Sequence, residues 1–501
     1  MDGKRLKKIF ISSGFALVLL VILLLRLPSL FEPFTYADEG IYLTLGQAVR
    51  KGLVLYRDIH DNKPPMLYLI AALAGSFPLY RLIHFLWSFT TIFAFYKLAQ
   101  LVFNKNNKWA ILLPTTVFAI LTSLHTLEGN IANAENFMLL PIIIGFFIFL
   151  KFKSLLGYFT AGLLFSFAVL FKIPAAFDFA AALVFIFFVT KKGNYQLPAL
   201  PAGRLITNYF LLLVGFALPI LLTILYFSSK GTLPQYLTAA FSQNLPYLSS
   251  WGGGNVKMEG LPLLLIGRAL AVLLTVILLF VFRKNLSLAV KLIIVWFSFS
   301  LFATLLSSRP YPHYLIQILP SFSLAFGFLA FDKTKKWLKS IPVFLGLVVV
   351  VTFVSFRFWY YPNLSYLTNF YQFIFGVKPR QEYLNYFGGH TQSLYETAAF
   401  LRTHTQPEEK IFIWGTLPSL YSLAERLPVG RYTVSYHIID FNGYQETMAA
   451  LTNNPPRWLI VTQDEKRPFP QLMNFIEDNY TFFQQIREIK IFHRLPKISR
   501  L

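Results

Sequence analysis

Runs of about eighteen apolar residues recur along this chain of 501 residues, and most are followed by lysine or arginine. A run of that length crosses the hydrocarbon of a bilayer as a helix. The chain is 55% hydrophobic and 18% aromatic with a mean hydropathy of +0.55, which is far from an ordinary soluble domain. Eleven spans are expected, at 9–27, 81–103, 109–124, 137–150, 155–171, 175–190, 206–227, 261–282, 288–306, 315–331 and 341–359. Lys4, Arg5, Lys7 and Lys8 precede the first run. That run is longer than the core of a signal peptide and ends Arg-Leu-Pro-Ser rather than at small residues, so an uncleaved anchor with a cytoplasmic N-terminus is expected.

The formal net charge of +22 is placed unevenly. Residues 1–359 hold 31 Lys+Arg and 11 Asp+Glu, and residues 360–501 hold 14 and 12. The excess therefore sits in the spanning part, where every proposed inner loop is basic. Membrane orientation accounts for the charge, and nucleic acid is not an expected partner. Of the eleven acids before residue 360, eight fall in proposed outer loops: Glu32, Asp38, Glu39, Asp58, Asp61, Glu128, Glu135 and Glu259. Chemistry is therefore expected at the outer face. The chain has no cysteine, which excludes disulfides, thiolate metal sites and a Cys nucleophile.

The first outer loop, 28–80, is the densest in ionisable groups. It carries YADEG (36–40) and YRDIHDNKPPMLYL (56–69), and thus Asp38, Glu39, Asp58, His60, Asp61 and Lys63. Residues 40–49 form a short helix by periodicity. The apolar piece 66–77 is too short for a span and reads as a helix lying in the interface. Asp38 and Glu39 at a helix start would serve equally as caps for free backbone N–H groups. These six groups crowded into one loop favour chemistry, with a carboxylate taking a proton from an attacking hydroxyl. Lys63 before Pro64-Pro65 suits either a rigid turn or contact with an anionic phosphate.

Elsewhere the candidates are fewer. Glu135 in NAENF opens a span as a cap or a site residue. Lys172 in LFKIPAAF is flanked by apolar residues, where it either snorkels or serves a site, and Asp178 is an expected partner. In SSRPYPHY, Arg309 offers a fork of donors to phosphate, and His313 and Tyr314 add hydrogen bonds; an aromatic belt would look similar. No HExxH-like spacing occurs. No cofactor is required by these residues, although a divalent metal held by Glu135, Asp38 or His313 is compatible with them. The glycines at 252–254 would let their loop close over a substrate.

YADEG, YRDIHDNKPPMLYL, NAENFMLL, LFKIPAAF and RPYPHYLIQILP, in this order, resemble the GT-C superfamily of membrane glycosyltransferases. The similarity is greatest to the bacterial branch related to protein O-mannosyltransferases and lipid A aminoarabinose transferases, and it covers roughly residues 10–330. The resemblance implies a sugar donor on a polyprenyl phosphate and transfer outside the cytoplasmic membrane with inversion at the anomeric carbon. It implies Asp38 as the catalytic carboxylate with Glu39 its neighbour. Lys63, Arg309 and His313 would hold the lipid phosphate, and Glu135 would match an acidic residue of the second outer loop.

The expected fold class is therefore an α-helical polytopic membrane protein with interfacial helices in its first outer loop. Residues 1–359 would form the transferase domain. Residues 360–501 would form a small extracytoplasmic α/β domain, with helices at 393–403, 446–451 and 470–479, strands at 410–414 and 457–461, and β-like alternation over 482–493. The phosphate leaving group needs cations more than a general acid, and the acceptor hydroxyl needs a base. The acceptor (glycan, lipid or protein) stays open. A flippase would place its functional charges inside the spans. A scaffold would tolerate alanine at the outer charges. A polymerase or ligase of lipid-linked glycans would share the transferase chemistry.

Overall fold

A computed structural model describes residues 3–103, 107–189, 205–247, 263–307, 309–330, 336–463 and 465–496. The glycines at 252–254, Glu259, Ser308 and the basic residues at 105, 191, 192, 204, 333 and 335 lie outside the described residues. Among those described, six helices are long and apolar enough to cross a membrane, and five shorter apolar helices occupy the remaining expected spans.

The chain divides into two compact units that do not follow the linear division at 359/360. The first is Met1–Leu30, His84–Tyr226 and Asn244–Tyr366; the second is Phe31–Ile83, Phe227–Gln243 and Leu367–Leu501. The loop after the first span thus joins the C-terminal part, because the helix Ala37–Arg50 packs against the helix Ser419–Ala424.

In the first unit, Ala134–Lys151 packs along Leu155–Phe171, and Ala176–Val189 lies against Leu288–Thr304. Gly162 and Gly215 let two helices touch backbone to backbone: a Cβ on either would fall 2.2 or 2.1 Å from a carbonyl of the other helix. The expected span 315–331 is not one α-helix. It runs as a 3-10 turn at Pro312–Ile318, an α-helix at Leu319–Ala325 and a second 3-10 turn at Phe326–Ala330. Pro312 and Pro320 each open a segment, where their missing N–H costs nothing.

In the second unit, a four-stranded sheet of order β1-β2-β4-β3 is built from β1 (Phe412–Trp414), β2 (Trp458–Thr462), β3 (Tyr480–Ile486) and β4 (Ile489–Arg494). β1 and β2 are parallel, and β4 is antiparallel to both β2 and β3. Alternate residues feed two cores. Ile413, Ile460 and Ile491 face His390–His404, while Phe412, Trp414 and Leu459 face Tyr444–Asn453 and Pro470–Asn479. The alternation expected at 482–493 is the β3–β4 hairpin. The helices Asn363–Ile374, Arg380–Asn385, Ser419–Ala424 and Ser435–Asp440 were not expected, since each is short and of mixed polarity.

The interfacial piece is the nine-residue helix Met66–Ala74, ended by Gly75 at φ +67°. Leu67, Tyr68 and Ala71 are buried, whereas Leu69 and Leu73 are exposed four residues apart. Two glycines seat the helix Ala37–Arg50. A Cβ on Gly46 would lie 2.5 Å from the Ala71 carbonyl carbon, and one on Gly40 would lie 2.5 Å from the Ser419 backbone nitrogen. Thr44 Oγ1 lies 2.6 Å from Ser422 Oγ beside that contact. Gly40→Ala is expected to cost about 1–3 kcal/mol through overpacking against backbone, read as a lower unfolding midpoint in detergent.

Candidate active site

The site of the second unit starts from the first turn of Ala37–Arg50. Tyr36 at the N-cap is extended and gives no side-chain cap, so the helix begins on the two carboxylates of Asp38 and Glu39 near its positive end. Adjacent on a helix, they point apart and reach different surroundings.

Glu39 is fully buried. Arg81 donates to its Oε2 from Nε at 3.1 Å and from NH2 at 2.6 Å. The same guanidinium bonds the Glu32 carbonyl, donates to the Pro33 carbonyl at 3.2 Å and lies 4.7 Å from the Phe34 ring centroid. Glu39 is therefore a structural anchor that fixes the helix start. The structure thus places Glu39 against Arg81, away from the Asp38 side of the helix.

Asp38 stays partly exposed, at 28% of its side chain. Its Oδ2 accepts from the Tyr42 hydroxyl at 2.8 Å, and Lys63 Nζ stands 3.9 Å away. Lys63 Nζ is also 3.7 Å from Asp61 Oδ2 and 5.0 Å from the Tyr42 ring centroid. The ammonium thus faces two carboxylates without closing to contact distance on either.

Asp61 is buried. It accepts from the Asn62 N–H at 2.7 Å and from the Tyr68 hydroxyl at 2.8 Å. Tyr68 in turn accepts from the Lys63 N–H at 3.1 Å, and Tyr56 donates to the Lys63 carbonyl at 2.8 Å. These bonds hold the backbone that carries Lys63. Burial alone would raise the Asp61 carboxyl; Lys63, His437, the Asn62 N–H and Tyr68 outweigh it and hold it below the ordinary carboxylate range. His437 Nε2 is 3.6 Å from Asp61 Oδ1.

His60 is buried among the rings of Tyr432, His437 and Phe441 rather than offered to a ligand. Its N–H donates to the Arg431 carbonyl at 2.9 Å. Burial first, then the neighbouring His437 and Arg431, push its imidazole down to about 3. The folded state therefore resists a proton that the unfolded chain accepts near 6.5. Stability is full above that pH and is lost as pH falls toward 3, at up to about 1.4 kcal/mol per pH unit. His60→Phe should flatten that slope between pH 6 and 4 in denaturant titrations.

The site of the first unit gathers Glu128, Glu135, Lys172, His313 and Tyr314. His313 Nδ1 contacts Glu128 Oε2, and its Nε2 is 3.5 Å from Glu135 Oε1. Lys172 Nζ closes on Glu135 Oε1 and lies 4.0 Å from the Tyr314 ring centroid. Lys172 therefore pairs with Glu135 and not, as expected, with Asp178. Asp178 accepts from Trp296 Nε1 at 2.6 Å, Ser300 Oγ at 3.0 Å and Gln317 Nε2 at 2.7 Å, which ties three spans together. Carboxylates already stand against Lys172 and His313, so neither presents a bare positive charge. Arg309 precedes this group on the turn whose Pro310 carbonyl accepts from the Trp359 N–H at 2.9 Å. Arg26 holds the loop bearing Glu128, donating to Ser123 Oγ at 3.0 Å and the Gly129 carbonyl at 2.9 Å.

Sequence reasoning missed Arg81, Tyr42, Tyr68 and His437 as members of these networks. The clue for Tyr42 was its place one turn after Asp38; nothing local marked His437. Among the described residues, no group of three or more His, Asp and Glu is arranged to hold a metal ion.

The sequence matches no protein-family model and no curated protein. Solved structures do match. ArnT from Cupriavidus metallidurans bound to undecaprenyl phosphate superimposes with a TM-score of 0.57 at 12% identity, over 97% of this chain and 99% of that one. The chain has the fold of ArnT. The apo state of the same protein gives 0.54 at 13% identity, over 96% and 98%. ArnT is an aminoarabinose transferase of the GT-C class, so the fold expected from the loop motifs is the one observed. The ArnT likeness runs through the C-terminal α/β part as well, beyond the 10–330 stretch that carried the motifs.

Proposed function

We propose that this protein is an inverting glycosyltransferase that moves a sugar from a polyprenyl-phosphate donor to an acceptor hydroxyl at the outer face of the cytoplasmic membrane. The observation that carries the reading is the partly exposed Asp38 carboxylate facing the Lys63 ammonium at 3.9 Å, in a chain with the ArnT fold. ArnT was solved with undecaprenyl phosphate, which supports a lipid phosphate as the group handled here.

In this mechanism the acceptor oxygen attacks the anomeric carbon while Asp38 takes its proton. The bond from that carbon to the phosphate oxygen breaks, and the phosphate leaves with the electron pair. Lys63 offsets the charge that develops on it. Tyr42 orients Asp38, and the Asp61–Tyr68 pair holds the Lys63 backbone. The lipid tail confines the donor to the interface, so attack becomes a two-dimensional search. Arg309, His313 and Tyr314 remain candidates for the lipid phosphate, each to be read as a rise in donor KM on substitution.

The test is transfer of label from a panel of polyprenyl-phosphate sugars in membranes containing the protein. Label reaching an acceptor is the expected result. Folded protein that moves label from no donor, with acceptors present, would sink the reading and favour a flippase or scaffold. Asp178, fixed by three neutral donors, gives a flippase little to work with.

A further inference from the structure

We propose that His437 is a positioning residue of this site, taking up a proton when a phosphate is seated on Lys63. The inference rests on the reading above, in which Lys63 receives the lipid phosphate.

The argument begins with Asp61, a buried carboxylate. Its Oδ2 side faces Lys63 at 3.7 Å, and its Oδ1 side faces His437 Nε2 at 3.6 Å. Lys63 divides its charge between Asp61 and Asp38 and lies at hydrogen-bond distance from neither. A phosphate arriving at Lys63 draws that ammonium away and adds its own negative charge. Asp61 is then a buried anion short of a counter-charge, and an unpaired buried charge is costly.

His437 is built to supply the missing charge. It is only 3% exposed, on the helix Ser435–Asp440, and its Nδ1 has no hydrogen-bond partner. That nitrogen is a vacant acceptor for a proton, while Nε2 stands 3.6 Å from Asp61 Oδ1. The charged and titratable groups around it are Asp61, Lys63 and His60 from the loop before Pro64, Asp38 from the helix Ala37–Arg50, and Asp440 and Tyr436 from its own helix. Burial keeps the imidazole below its ordinary value; Asp61, Asp440 and Asp38 pull it up, and Lys63 pushes it down. Moving Lys63 toward a phosphate removes a cation that opposes protonation and brings in an anion. Both changes act in the same direction. The imidazolium so formed keeps Asp61 ionised and in place, and with it the Tyr68 bond that holds the Lys63 backbone.

The C-terminal part would then complete the donor site. The experiment is calorimetric binding of farnesyl phosphate to the full chain in nanodiscs at pH 7.5, in HEPES and in Tris. Their different ionisation enthalpies report protons exchanged. Wild type is expected to take up close to one proton per ligand. His437→Asn should lose the uptake and bind about tenfold more weakly. Asp61→Asn should also lose the uptake, because the carboxylate needing compensation is gone, whatever binding is lost through the Tyr68 contact. That second variant decides the matter if His437→Asn does not fold. Binding by wild type without uptake, or uptake unchanged in either variant, overturns the role of His437 and leaves the transferase reading intact. No binding of the lipid phosphate by wild type overturns the donor reading, and this inference with it.

Discussion

Asp38→Asn is expected to lower kcat for sugar transfer by about 10²- to 10⁴-fold, with donor KM changed little. The amide keeps the shape of the carboxylate and can still accept from Tyr42, whose hydroxyl lies 2.8 Å from Oδ2. It cannot take a proton from the acceptor hydroxyl. A loss of kcat without loss of donor affinity separates a base from a binding residue. The variant also removes a negative charge 3.9 Å from Lys63, so donor KM should fall slightly rather than rise. Initial rates against donor concentration in proteoliposomes would show both. A variant with wild-type kcat would remove Asp38 from the mechanism while leaving the enzyme itself in place.

The second large effect is on stability. Arg81→Met is expected to cost about 3–5 kcal/mol, because it takes the paired cation away from the buried Glu39 carboxylate. Glu39 is fully buried and accepts from Arg81 through one oxygen, at 3.1 and 2.6 Å. Arg81 also bonds the carbonyls of Glu32 and Pro33, so the chain leading into Asp38 loses its anchor in the same step. Glu39→Gln should cost less, since an amide oxygen can still accept. The double variant Arg81→Met/Glu39→Met should recover much of the loss, the coupling being read from a double-mutant cycle of unfolding midpoints. If the single and double variants unfold together, the pair contributes no net stability. Activity should follow stability here, with kcat falling as Asp38 loses its fixed position.

The two carboxylates show how far the linear chain could be read. Their neighbourhood in YADEG, at the start of a helix after the first apolar run, was plain from the residues. Which of them was available for chemistry was not. Adjacent positions on a helix differ by a large rotation, and the surroundings on each side decide the outcome. Arg81 stands on one side and Lys63 on the other. Lys63 stood out in the residues, but a turn before two prolines accounted for it equally; its place between Asp38 and Asp61 came from the fold. His60 shares that loop, and its ring is enclosed by Tyr432, His437 and Phe441. His437 comes from a short helix that no local pattern announced, and Phe441 caps its end.

What the residues determined alone is the membrane class, the eleven apolar helices, the alternating strands of the C-terminal sheet and the crowding of charge in one loop. Each of these depends on hydropathy and charge over a window of a few to twenty residues, and such windows carry their own period and sign. Only the tertiary structure decided the partners: Glu39 with Arg81, Lys172 with Glu135 rather than Asp178, Asp61 with His437, and the loop after the first span with the helix Ser419–Ala424. A buried charge takes the partner that its burial leaves within reach, and burial is a property of the assembled chain.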